Sequence, residues 1–134
     1  MSQQLRKLHI LLVDGDPQTR DRVQQALGNG FSLRFARSLA EARRCLEEST
    51  PDVLVCEIVL PDASGLEICR QIRLSPSLRH LPVMLLTSLS TIQDKVAGFD
   101  AGADDYVVKP FDARYLIARM RLLSRLKRLE SDHN

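Results

Sequence analysis

Asp14-Gly15-Asp16, Glu57, Thr87-Ser88 and Lys109-Pro110 are the places in this sequence where residue type and neighbourhood could support chemistry. Carboxylates gathered in a crevice attract a hard cation, and magnesium in turn gathers phosphoryl oxygens. A lysine and a hydroxyl opposite can neutralise and hydrogen-bond a transferred phosphoryl group. A central carboxylate can accept that group as a mixed anhydride. Taken singly, these residues have ordinary structural uses. Asp16 reads as a helix N-cap, Thr87 as a strand-end residue and Asp62 as a turn residue before Gly65. They gain functional weight only if the fold brings them together.

The hydrophobic pattern says that it does. Leu8 to Val13 is a continuous apolar run, as expected of a strand buried on both faces. Asp14 to Pro17 breaks it, with Asp16 as N-cap and Pro17 as first residue of a helix to about Leu27. Gly28-Asn29-Gly30 stops that helix, and Phe31 to Ala36 reads as a second strand. Ser38 and Glu41 have capping-box spacing before a helix to about Glu48. Asp52 to Glu57 reads as the third strand, and Leu66, Ile68, Cys69 and Ile72 mark a helix ended before Pro76. Pro82 to Thr87 is a fourth strand, a helix runs from about Thr91 to Asp100, and Tyr106 to Val108 is a fifth strand. Asp112 then caps a long final helix. Strands alternating with helices through short loops give a doubly wound α/β domain with a parallel sheet. Its functional edge is at the carboxyl ends of the strands, where all four clusters fall.

Composition narrows the class. The chain has 134 residues, 44% hydrophobic and 27% charged, which is one globular domain with no stretch apolar enough to span a bilayer. A net charge of +2 is too small to imply nucleic-acid binding by itself. Residues Met1 to Lys7 are polar and carry no signal-peptide stretch, and the three cysteines, Cys45, Cys56 and Cys69, lack CxxC spacing. The expectation is a cytoplasmic protein with reduced thiols serving as small core or half-buried residues.

Four segments in order resemble the motifs of two-component response-regulator receiver domains. They are Leu11 to Pro17, Asp52 to Gly65, Pro82 to Thr87, and Ala101 to Phe111. The resemblance covers about Leu8 to Leu123, leaving residues 1–7 as a flexible N-terminus and 124–134 as the end of the last helix. It implies a five-stranded parallel sheet in the order 2-1-3-4-5, the flavodoxin-like receiver fold. Asp14 then matches the first acidic position of the family, Thr87 the hydroxyl switch residue, Tyr106 the switch aromatic, and Lys109 the phosphoryl-binding lysine. The Lys109-Pro110 bond is expected to be cis, as in relatives.

Two positions depart from the family. Gly15 falls where a carboxylate is supplied to magnesium, and Glu57 falls on the aspartate that is phosphorylated. The extra methylene moves the carboxylate about 1.5 Å further from the strand, and misplacement by about 1 Å costs on the order of a hundredfold in rate. The expectation is therefore an atypical, pseudo-receiver module that acts through protein contacts, is not an enzyme and requires no cofactor. Any magnesium on Asp14, Asp16 and Glu57 is expected to bind weakly. Either Glu57 mimics the activated state with one charge in place of roughly two, or it pairs with Lys109 and leaves the switch relaxed. The alternative function is slow magnesium-dependent acyl-phosphate chemistry at Glu57. A flavin-binding domain of this architecture is argued against by Asp14 and Asp16, which repel phosphate.

The last helix carries a second pattern. Leu116, Met120 and Leu123 form one stripe suited to the sheet, while Leu122, Leu126 and Leu129 form another among Arg119, Arg121, Arg125 and Arg128. The plain reading is a solvated end. The functional one is a linker to an effector domain of a longer chain, or a homodimer seam. Expected partners are a histidine kinase or another signalling protein, with no membrane and no direct nucleic-acid contact by this domain.

Overall fold

The computed structural model describes residues 6–133, with side chains described to Leu126. Most of the expected flexible segment 1–7, and the side chains of Arg128 and Leu129, lie outside the described residues. The elements alternate as β1 (Leu8–Val13), α1 (Pro17–Leu27), β2 (Phe31–Ala36), α2 (Leu39–Glu48), β3 (Val53–Cys56), α3 (Gly65–Leu74), β4 (Val83–Thr87), α4 (Ile92–Ala101), β5 (Asp105–Val108) and α5 (Ala113–His133). All four strand pairings are parallel, in the order β2-β1-β3-β4-β5. This is the flavodoxin-like arrangement expected from the motifs.

The continuous apolar runs follow from burial on both faces of the sheet. Leu11, Val13, Leu54, Cys56 and Leu85 pack with Ile68, Cys69 and Ile72 of α3 and Leu39 and Ala42 of α2. Their neighbours in sequence, Ile10, Leu12, Val53, Val55, Met84 and Leu86, pack on the other side with Val23 of α1 and Leu116, Met120 and Leu123 of α5. The sheet-facing stripe of α5 is thus as read from its spacing. Cys56 and Cys69 are buried free thiols and Cys45 is half-buried. Burial pushes the Cys69 thiol up to about 11, so it stays protonated at neutral pH.

Local signals set the element ends. Asp16 accepts from the Gln18 amide at 3.0 Å and Pro17 opens α1. Ser38 caps the Glu41 amide of α2, but Glu41 turns back to the Arg37 amide rather than to that of Ser38. The reciprocal box forms instead at Thr91 and Asp94, at the start of α4. The third strand ends one residue earlier than the sequence suggests, at Cys56, because Glu57 already belongs to the loop. Asp52 precedes that strand and joins the chain ends of the sheet, accepting from Arg6 and from the His9 amide.

At the lower edge Arg73 acts as a hub. Its guanidinium donates to the carbonyls of Gly102, Arg79 and Leu81 and to Asp104, at 2.7 to 2.9 Å. At the upper edge the loop after β3 closes through the Gly65 amide, which donates to the Ile58 carbonyl at 2.6 Å. A Cβ on Gly65 would collide with the Glu57 carbonyl oxygen and crowd the Cys56 sulfur. Gly65→Ala is expected to lose about 1–3 kcal/mol by this overpacking. Gly30→Ala, where a Cβ meets nothing within 4 Å, should stay within about 0.5 kcal/mol of the parent. Urea unfolding of the two variants measures the contrast.

Candidate functional site

Each side chain of the site is delivered by the carboxyl end of a different strand. The Asp14 amide donates to Ala36 O at 2.9 Å and the Glu57 amide to Val13 O at 2.8 Å, so the backbones past β1 and β3 run side by side. Thr87 ends β4, and its carbonyl accepts from the Lys109 amide at 2.8 Å just past β5. The expected convergence therefore occurs for Asp14, Glu57, Thr87 and Lys109.

Lys109 closes the site. Its Nζ donates to Asp14 Oδ2 at 2.8 Å and to Glu57 Oε1 at 2.9 Å. Both acids are almost inaccessible, at 2% and 7% exposure, so solvent screens these pairs little. The remaining oxygens are also engaged: Asp14 Oδ1 accepts from the Asp16 amide at 2.8 Å and Glu57 Oε2 from the Val59 amide at 3.0 Å. Burial alone would raise the Glu57 carboxyl. Hydrogen bonds from Thr87, the Val59 amide and Lys109, with the lysine charge, outweigh it and hold the carboxyl below its ordinary value. Lys109 answers in kind. Burial would lower its ammonium, but hydrogen bonds and charge from Asp14 and Glu57 hold it above its usual range.

The other sequence candidates sit around this core. Asp16 Oδ1 is the cap of α1. Gly15 leaves room beside it, since a Cβ there would meet Arg37 O at 3.4 Å and a Pro61 carbon at 3.5 Å, ordinary contacts. Tyr106 is half-buried, and its hydroxyl donates to Leu89 O at 2.8 Å in the loop that follows Thr87. The Lys109-Pro110 peptide is cis, as expected. Asp62, read as a turn residue, has a further use: its carboxylate accepts from the Leu39 and Ala40 amides at the start of α2, at 2.9 and 3.1 Å. A contact across 23 residues leaves no local sign in sequence. Nor do the contributions of the Val59 amide and Leu89 carbonyl, which any residue could make.

As to a metal, magnesium favours octahedral oxygen coordination. Here every oxygen of Asp14 and Glu57 already accepts a hydrogen bond, and a cationic ammonium lies between them. Among the described residues no three His, Cys, Asp or Glu side chains are grouped so as to hold an ion. In this arrangement the Lys109 ammonium competes with any cation for Asp14 Oδ2 and Glu57 Oε1.

A five-stranded 2-1-3-4-5 sheet with an acid pair, a hydroxyl and a lysine at its strand ends defines the receiver class. The chain belongs to the response regulator receiver domain family, whose model matches residues 10–121, and is a receiver module of a two-component system. It is 40% identical over 126 residues to the response regulator MprA of Mycobacterium ulcerans, covering 93% of this chain and 53% of that protein. The chain thus spans about half the length of the curated relatives it matches. A putative response regulator from Chloroflexus aurantiacus superposes with a TM-score of 0.86 at 34% identity, over 90% of this chain and 99% of the other. The signal receiver domain of a signal transduction histidine kinase from Syntrophus aciditrophicus gives 0.81 at 31% identity, over 88% and 90%. Among the described residues no helix is long and apolar enough to cross a membrane.

The ammonium bridge makes stability depend on pH from both sides. A depressed Glu57 contributes stability above its ordinary value of about 4.3, lost as pH falls through the depressed one. A raised Lys109 contributes below about 10.4, lost as pH climbs through the raised value. Lys109→Met leaves two buried carboxylates facing each other and should cost about 3 kcal/mol at pH 7. That loss should shrink in acid as Glu57 takes up a proton, which urea titrations at neutral and acidic pH will register.

Proposed function

We propose that this chain transmits signals through protein contacts in the cytoplasm without being phosphorylated, as an atypical receiver with Glu57 at the phospho-acceptor position. The supporting observation is the Lys109 ammonium closed on Asp14 and Glu57. The lysine that would hold an incoming phosphoryl group already holds the Glu57 carboxylate. Gly15 adds no carboxylate to attract magnesium, so any ion competes with Lys109 and binds weakly. The module works by contact and not as an enzyme, and needs no cofactor.

The contact surface in this reading is the face made by α4, β5 and α5. Ile92, Val96 and Phe99 of α4 and Tyr115 of α5 are large apolar side chains left exposed there. A histidine kinase or another signalling protein is the upstream partner, and an output domain follows in the longer protein. Self-association through α5 is part of the same proposal, since Leu126 is exposed and Leu122 half-buried. Sedimentation equilibrium checks it: Leu122→Glu with Leu126→Glu should reduce the oligomer mass and leave the fold intact, and a parent that is already monomeric removes this element.

The central test is chemical. Acyl phosphate would form by attack of a Glu57 oxygen on the phosphorus of acetyl phosphate, with acetate leaving. Intact-mass spectrometry of the parent with acetyl phosphate and magnesium should find no phosphoryl adduct. Glu57→Asp alone should recover little, because the ion is still poorly held. Gly15→Asp with Glu57→Asp should be labelled, more than the sum of the single changes, because both act through one ion. A Cβ at Gly15 makes only ordinary contacts, so the first atom of the new side chain meets no obstacle. Efficient labelling of Glu57 in the parent would overturn the proposal and make the chain a phospho-switch with an unusual acceptor.

A further inference from the structure

The site just described lies at the carboxyl ends of the strands. At the opposite edge, where β1 and β2 begin, is a cleft of about 400 Å3 lined in part by Arg6, Lys7, Phe31, Arg121, Ser124 and Arg125. Among the described residues no carboxylate lines it.

Its cations differ in their engagements. Arg6 is closed on Asp52 through two hydrogen bonds, at 2.8 and 3.1 Å, and the same carboxylate accepts from the His9 amide at 2.7 Å. That fork fixes the segment entering β1 and so keeps Lys7 at the rim. The Arg121 guanidinium rests over the Phe31 ring at 5.2 Å, which restrains it while leaving its N–H groups available. Lys7, Arg121 and Arg125 form no ion pair with another described residue.

We infer that this cleft binds a small phosphate-bearing anion, of pyrophosphate to nucleotide size. Three cations that form no ion pair with another described residue line one concavity, and a monocarboxylate would leave most of that charge unbalanced. A di- or triphosphate supplies several charges within a few bonds, and guanidinium forks match its paired oxygens. The volume lies within the range of about 300–1,000 Å3 usual for small-molecule pockets. A duplex nucleic acid, stiff and convex, does not enter a recess of this size. Because the lining comes from the entry to β1, the start of β2 and the middle of α5, a bound anion ties the last helix to the beginning of the sheet.

Isothermal titration of the intact chain with sodium pyrophosphate, with adenosine triphosphate and with a short DNA duplex tests the inference. Lys7→Gln with Arg125→Gln removes two exposed cations of the cleft. Arg44→Gln with Arg70→Gln removes the same charge from exposed positions of α2 and α3. Saturable binding of pyrophosphate or the nucleotide is expected in the parent and in the Arg44/Arg70 variant. It should weaken about tenfold or more in the Lys7/Arg125 variant, with the thermal midpoint unchanged. Equal weakening in both variants would reduce the effect to net charge and overturn the inference. So would tighter binding of the duplex than of pyrophosphate at equal phosphate concentration, or no saturation by either small anion.

Discussion

A single ammonium between two buried carboxylates organises the upper edge of this receiver. Lys109 is 95 residues from Asp14 and 52 from Glu57. A bond so remote in sequence forms only once β1, β3 and β5 are in register. Two negative charges this close and this dry would repel each other strongly without it. The loops after β1, β3 and β5 are thereby fixed to one point. Thr87 and the Leu89–Tyr106 contact bring β4 and its following loop to the same centre.

The order of elements and the faces they bury were legible in the sequence because they depend on local patterning. A strand buried on both sides reads as an unbroken apolar run, and β3, most of β4 and β1 from Ile10 onward are written that way. Asp16-Pro17 announced the start of α1 for equally local reasons. What could not be read was how polar groups would divide among competing donors. Glu41 has the spacing to bond back to Ser38 but bonds the Arg37 amide instead, whereas the reciprocal box forms at Thr91 and Asp94. Strand order was available only by resemblance, since periodicity carries no information about which strand lies beside which.

The candidate site shows the same division. The residue types at the strand ends were visible, and the parallel sheet made their meeting a geometric consequence. That Lys109 would bridge both acids at once, and that backbone amides would take the remaining oxygens, depended on distances of tenths of an ångström. Asp62 shows the limit most plainly. Its chemistry as a helix-capping carboxylate is ordinary, but the helix it serves begins 23 residues earlier and belongs to another unit of the fold.

Arg73 at the lower edge has a kinetic meaning. It gathers the carbonyls of three residues from two separate loops together with the Asp104 carboxylate, which in turn receives the Val83 amide. No single loop there can detach without breaking bonds belonging to the other, so the two should open as one cooperative unit. Lysine has neither the planar fork nor the number of donors to replace it. Local breathing of the α3–β4 and α4–β5 connections is therefore coupled where the sequence separates them.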